Sequence, residues 1–283
     1  STNSFEEDEL IALSKQLNMF SGEDTRTYLK GVSPTNAKYP FLISVDPQEV
    51  EMQKKLEIIK RADKIARSLE KRIKQVRIVY RDTKQKITIH NSDNEFINDE
   101  RSQVVFNIFI VGEDKGEMQT SYDAIGGFWG FEFFTDEVIE KTVKKTVKRL
   151  TGLLEAREAP MGVKTVVLAS LAGGTMIHEA IGHGLESDLA MEGMSCYKGM
   201  LNEKIASSLI CVVDDATIPN MRGTFAFDDE GTPSERTILV EDGILKNYMF
   251  DRFHALKYET KSTGNGRRES FRHKPIPRMS NTM

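Results

Sequence analysis

The feature that most constrains the fold is a change in hydrophobic periodicity near residue 75 of the 283-residue chain. From Asp46 to Ile73, apolar side chains recur every three or four positions, which predicts a helix with one buried face. Asp46 and Pro47 are typical of the cap and first turn of such a helix. After Ile73 apolar and polar residues alternate, which is the period of a half-buried strand. We therefore expect an α+β fold.

The alternating segments predict an antiparallel sheet. Residues 76–80 and 86–90 have the pattern of two strands of a hairpin, joined by the charged residues between them. Residues 104–111 and 117–121 predict two more strands across a turn that contains Gly112 and Gly116. Short turns between neighbouring strands favour antiparallel pairing.

A break in the pattern divides the chain into two predicted domains. A second amphipathic helix is expected over residues 136–155, and Pro160 and Gly162 follow it. We place the boundary there, with an N-terminal α+β domain at 1–158, incomplete at its start, and a mainly β C-terminal domain at 159–283. In the second domain, a buried strand is predicted at 164–169, a helix from Gly173, and short strands at 209–213, 237–240 and 244–249.

Composition excludes several classes of function. The formal net charge is −4, with 39 basic and 43 acidic residues, which disfavours a nucleic-acid-binding role. No apolar run approaches the roughly 20 residues that cross a bilayer. Cys196 and Cys211 form no CxxC pair, and the N-terminus has no secretion signal pattern. We expect a cytoplasmic protein that contacts neither membranes nor nucleic acid directly.

The residues most suggestive of chemistry are His178-Glu179-Ala-Ile-Gly182-His183, on the predicted helix. Two neutral imidazoles can bind zinc, and a neighbouring glutamate can accept a proton from water. Histidines four residues apart lie about 40° apart around a helix, whereas a spacing of five gives about 140°. A π-helical turn, which closes an i to i+5 ring, would bring the two rings together. We therefore predict a distortion or a helix end at 182–184, where glycines flank His183.

A catalytic zinc site usually has three protein ligands and one open position. Glu186, Asp188 and Cys196 are the nearby candidates for the third ligand. Glu186 and Asp188 are equally suited to accept hydrogen bonds from the histidine rings. Cys196 is also consistent with an ordinary free thiol.

The segment HEAIGHGLESD (178–188) resembles the HExxxH segment of the TldD branch of the TldD/PmbA metallopeptidases. Upstream, SVDP (44–47) and GFEFF (130–134) are also similar to family segments. The similarity continues downstream through EKIASSLICVVDD (203–215), TIPNMRG (217–223), DDEGTPSERTILVEDGILKNYMFDR (228–252), TGNGRRES (263–270) and PRMSNTM (277–283).

The resemblance implies a zinc-dependent metallopeptidase that hydrolyses unfolded or extended peptides. TldD-type subunits pair with a TldE (PmbA-type) subunit that lacks HExxxH, so the expected partner is such a subunit or a second copy of this chain. The family has also been described as modulators of DNA gyrase. Its third zinc ligand is a cysteine past the PRMSNT segment, which we expect beyond Met283 in a chain that looks truncated at both ends.

We expect His178 and His183 to hold Zn²⁺ and Glu179 to transfer the proton. Arg267 and Arg268 are candidates for binding a substrate carboxylate, although surface salt bridges would equally explain them. The alternative function is a non-catalytic peptide-binding or assembly subunit, because the metal site is expected to be incomplete in this chain.

Overall fold

A computed structural model of the chain describes residues 2–4, 6–21, 33–91, 93 and 95–283. Its first half is a four-stranded sheet with two long helices, and its second half contains short strands and short helices, so the expected α+β class is confirmed. The helices are α1 (Glu7–Ser21), α2 (Met52–Leu69), α3 (Asp136–Leu154), α4 (Ser170–Ile177), α5 (Ser187–Ala190) and α6 (Arg252–Lys257). The strands are β1 (Thr35–Asn36), β2 (Ile73–His90), β3 (Phe96–Asp114), β4 (Glu117–Gly127), β5 (Val212–Asp215), β6 (Arg236–Glu241), β7 (Ile244–Leu245), β8 (Gly266–Arg267) and β9 (Ile276–Pro277).

Strand β3 is the centre of the first sheet. Along one edge, β3 pairs antiparallel with β2. Along the other edge it pairs antiparallel with β4, and the first residues of β3 pair in parallel with β1. The predicted hairpin within residues 76–90 is wrong, because β2 is one continuous strand. Residues 81–84 contain no glycine or proline and pair in register with residues 102–105 of β3. Instead, β2 pairs with β3 along its length, up to the pair His90–Phe96.

The two longest helices, α2 and α3, pack on one face of this sheet. Helix α3 matches its predicted range to within one residue, and the Thr135 hydroxyl caps it by accepting a hydrogen bond from the Val138 amide. Helix α2 begins at Met52, later than predicted, because residues 47–49 form a separate 3-10 turn capped by Asp46. The buried residues of this core include Phe106, Ile108 and Ile110 of β3, Ala62 of α2, and Ile139, Val143 and Leu150 of α3.

The second half has its own core around the sheet β5-β6-β7. The strand predicted at 164–169 is wrong, since these residues form neither helix nor strand and Val167 is 96% exposed. An apolar run becomes a strand only when a neighbour pairs with it, and no strand in the described part of the chain does so here. None of the helices in the described ranges combines the length and hydropathy that a membrane crossing requires.

The two halves meet through polar contacts that start from β3. The buried Arg101 donates hydrogen bonds to Asp99, to Asp229 at 3.1 Å and to the Phe227 carbonyl at 2.6 Å. Asn220 and Phe128 also exchange a pair of hydrogen bonds across this junction. These contacts connect the first sheet with the loop that precedes β6.

Candidate metal centre

The two histidines of the HEAIGH segment lie where the α-helix changes its winding. Helix α4 ends at Ile177, a π-helical turn spans His178–Gly182, and a 3-10 turn spans His183–Leu185. In the π turn, the amide of His183 donates to the carbonyl of His178, which is the i to i+5 bond that the spacing required. The predicted distortion is confirmed.

The π turn brings the two imidazole rings to the same place. The ring centroids of His178 and His183 are 4.8 Å apart, with their planes at 86°. One ligand atom from each histidine and one from Glu179 all lie within 4.8 Å of one another. Zinc ligands at about 2.0–2.1 Å from the metal are at most about 4.2 Å apart. These three side chains therefore offer suitable ligand atoms for a divalent metal. Small side-chain movements would bring the atoms to the distances that such a metal requires.

A buried carboxylate fixes the orientation of one ring. The Nδ1 atom of His183 is 3.1 Å from Oε2 of Glu186, which also accepts a hydrogen bond from Arg278 at 2.8 Å. Glu186 has no exposed surface, and burial raises the pKa of its carboxyl group, opposed by His183 and Arg278. Because Nδ1 is engaged by this carboxylate, Nε2 is the nitrogen of His183 that remains for a cation.

The other nearby candidates for a ligand lie outside the cluster. Within the described residues, the group of side chains that could hold a metal ion consists of His178, Glu179 and His183 alone. Asp188 is 3.7 Å from Arg278, and burial raises the pKa of its carboxyl group. Cys196 is an exposed free thiol. Of the two carboxylates, only Glu186 contacts a histidine of the cluster.

The C-terminal segment holds Arg278 beside the cluster, which the sequence reasoning did not foresee. Buried Asp214 accepts hydrogen bonds from the backbone and hydroxyl of Ser280 and from the hydroxyl of Thr282. Met279 packs so closely on Gly182 that an added Cβ there would lie 2.1 Å from its sulfur atom. The similarity of residues 277–283 to the family was the one sequence signal for this segment.

The two candidate substrate-binding arginines have different surroundings. The Arg267 guanidinium lies over the ring of Phe225, with 4.9 Å between its central carbon and the ring centroid. The Arg268 guanidinium donates a solvent-exposed hydrogen bond to the carbonyl of His273 at 2.6 Å. The two arginine side chains therefore contact different groups.

Comparison with protein families identifies the chain. Residues 45–154 match the model of the PmbA/TldA metallopeptidase central domain, and residues 161–283 match that of the PmbA/TldA metallopeptidase C-terminal domain. The chain belongs to the PmbA/TldD family. It is 38% identical over 251 residues to the metalloprotease TldD homolog of Buchnera aphidicola subsp. Acyrthosiphon pisum, a match that covers 86% of this chain and 52% of that protein.

Solved structures of the PmbA/TldD fold agree with this assignment. TldE from Thermococcus kodakarensis superposes with a TM-score of 0.71 at 19% identity, over 97% of this chain and 61% of that one. A Thermotoga maritima protein described as a modulator of a DNA gyrase gives a TM-score of 0.76 at 18% identity, over the same shares of the two chains. At these identities the likeness shows the fold alone. The chain spans about half the length of the curated relatives it matches.

Proposed function

We propose that this chain is the TldD-like, catalytic subunit of a zinc-dependent peptidase that hydrolyses unfolded or extended peptides. The observation that carries the proposal is the convergence of His178 and His183, with ring centroids 4.8 Å apart, beside the carboxylate of Glu179. Relatives named metalloproteases support it. A bound zinc ion would polarise the peptide carbonyl and make water easier to deprotonate.

In this proposal the two histidines are metal ligands and Glu179 is the general base. His183 would bind through Nε2, because Glu186 engages its Nδ1 atom. Glu179 would take a proton from the attacking water and deliver it to the leaving amine nitrogen. The roles suit the exposure of each group, since both rings are half-buried and the Glu179 side chain is exposed to solvent.

The proposal includes a third ligand and a partner. We propose that the third ligand is the family's cysteine, outside residues 1–283, and that the chain pairs in the cytoplasm with a TldE-like subunit or with a second copy of itself. The shared fold with TldE supports the pairing. An open cluster with an exposed glutamate suits a flexible peptide that passes across it more than a rigid folded surface.

Removal of the metal tests the proposal. We expect the full-length protein, with its partner, to cleave an unstructured fluorogenic peptide, to lose that activity with a zinc chelator and to regain it when zinc is added back. A compact folded protein that contains the same peptide sequence is the control and should resist cleavage. Cleavage that persists after the metal has been removed, as measured by elemental analysis, would refute the zinc mechanism.

Replacement of Glu186 by glutamine should weaken metal binding without removing a ligand. Glutamine keeps the size of the side chain but loses the charge that favours the ring orientation of His183. Changes of this kind typically cost about 10- to 100-fold in metal affinity. Competition with a fluorescent zinc chelator measures the affinity. Asp188→Asn is the matched control, because Asp188 approaches Arg278 but does not contact the cluster, and an equal loss in both variants would contradict a specific role for Glu186.

A further inference from the structure

A polar pocket lies at the junction of the two halves. Its volume is about 130 Å³, and it is open to solvent. From the first sheet come two directly opposed cross-strand pairs on one face, Thr83 with Gln103 and Gln85 with Arg101. The second half contributes Thr224, Phe225 and Arg267. Since a single water molecule needs only about 10–15 Å³ of such space, the pocket has room for a small polar group.

The two arginines of the pocket differ in how they are neutralised. Arg101 uses Nε, Nη1 and Nη2 in hydrogen bonds to Asp99, Asp229 and the Phe227 carbonyl. Arg267 has no carboxylate within 4.0 Å in the described part of the chain, and its Nε is out of contact with solvent and lacks a hydrogen-bond partner there. Arginines that bury much of their side chain are normally paired, so the half-buried Arg267 side chain, which lines the pocket without a carboxylate partner, is a candidate for binding an anion.

The ring of Phe225 holds both guanidinium groups in position. The central carbon of Arg267 is 4.9 Å from the ring centroid, and that of Arg101 is 5.7 Å from it. Stacking on an aromatic face orients the flat arginine fork, which suits it to a planar acceptor. Gln85, Gln103, Thr83 and Thr224 add amide and hydroxyl groups around the same space.

The surrounding charges favour a ligand with one negative charge. Burial lowers the pKa of Arg267, while the nearby acidic side chains of Asp229, Asp214 and Asp228 favour its charged form. These aspartates would repel a dianion such as phosphate more strongly than an anion with one charge. A carboxylate is planar and has a single charge, and it matches the one unpaired arginine.

The pocket is also linked to the histidine cluster through a short path in the structure. Arg267 in β8 pairs with Ile276 in β9, and Arg278, two residues later, contacts the carboxylate that engages His183. Groups on these two paired strands are therefore held in a fixed relation to the proposed catalytic site.

We propose that the Arg267 pocket binds a carboxylate of the peptide substrate, from either its C-terminus or an acidic side chain, and so positions the peptide relative to the metal centre. This inference rests on the proposed peptidase function. Arg267 supplies the positive charge that pairs with the carboxylate, and the glutamine and threonine side chains of the pocket supply further polar groups.

The experiment compares three fluorescent peptides of one uncharged sequence in the Glu179→Gln variant, which removes turnover. One has a free C-terminal carboxylate, one has a C-terminal amide, and the third has the amide and one internal glutamate. A charge-assisted contact should make a carboxylate-bearing peptide bind about tenfold to a hundredfold tighter than the neutral amide. The peptide that gains affinity identifies the source of the carboxylate, and equal affinities for all three would overturn the proposal.

Two arginine variants locate the effect. Arg267→Met keeps an apolar stem on Phe225 and should abolish the preference, and Arg267→Lys should retain part of it. The neighbouring Arg268→Met removes the same charge outside the pocket and should leave the preference intact. Equal losses in the Arg267→Met and Arg268→Met variants would indicate a general charge effect and overturn the pocket.

Cleavage tests the peptidase proposal, and the preference among the three peptides tests the pocket. Cleavage of the neutral peptide by the unmodified protein, without any preference among the three peptides, would overturn the pocket and leave the peptidase function in place. Absence of both cleavage and binding for all three would overturn both.

Discussion

The substitution Glu179→Gln is expected to lower the rate of peptide cleavage by roughly a hundredfold to ten-thousandfold while zinc remains bound. Glutamine has the shape of glutamate but cannot accept the proton of the attacking water. The carboxylate lies within 4.8 Å of the ligand atoms of both histidines, so the loss of the base should act directly on the reaction. Cleavage assays and elemental analysis on the same preparation separate catalysis from metal content.

Glu203→Gln provides a matched control for this measurement. Glu203 is also exposed and lies in the same half of the chain, outside the histidine cluster, so its replacement should leave the rate unchanged. A Glu179→Gln protein that still cleaves at the unmodified rate would remove this glutamate from the mechanism. Loss of zinc together with activity would indicate that Glu179 is needed to hold the metal.

The sequence was most informative where local geometry decides the structure. Helix α3 was predicted closely because its apolar residues follow one helical stripe and Thr135 caps its start. The π turn at His178–Gly182 was predictable because two histidines five residues apart, if they are to share one metal ion, cannot converge on an undistorted helix.

Prediction failed where pairing with a distant segment decides the structure. Residues 81–84 are polar and resemble a turn, but they pair with residues 102–105 of β3, so the strand continues through them. Residues 164–169 end in an apolar run and resemble a strand, but no described strand pairs with them. Periodicity in one segment carries no information about which other segment lies beside it.

In the candidate site, too, the features set by neighbouring residues could be predicted and those set by distant residues could not. The residues of the HEAIGH segment are contiguous, so their spacing revealed the cluster. Glu186 and Asp188 could not be distinguished from the sequence, because their roles depend on Arg278, which is 92 positions from Glu186. The Arg267 pocket takes residues from four separate parts of the chain, and only their packing separates Arg267 from Arg268.

The second large effect is expected for His178→Ala, which should eliminate stoichiometric zinc binding. The variant leaves His183 as the one imidazole of the cluster, and one imidazole cannot form the two-histidine site that the π turn assembles. The loss of affinity should exceed the roughly 10- to 100-fold that changes around a ligand cause. Zinc content after gel filtration, and affinity by chelator competition, measure the result.

His273→Ala is the control that makes this result specific. His273 is exposed, and its Nδ1 atom lies 2.8 Å from the Ser270 hydroxyl, outside the cluster, so its loss should leave zinc binding unchanged. If both variants kept full zinc, the metal would have to bind elsewhere, and the proposal that the histidines of the π turn hold it would be wrong. If only His178→Ala lost zinc and circular dichroism showed an intact fold, the loss would be assigned to the missing imidazole, because the rest of the protein would be unchanged.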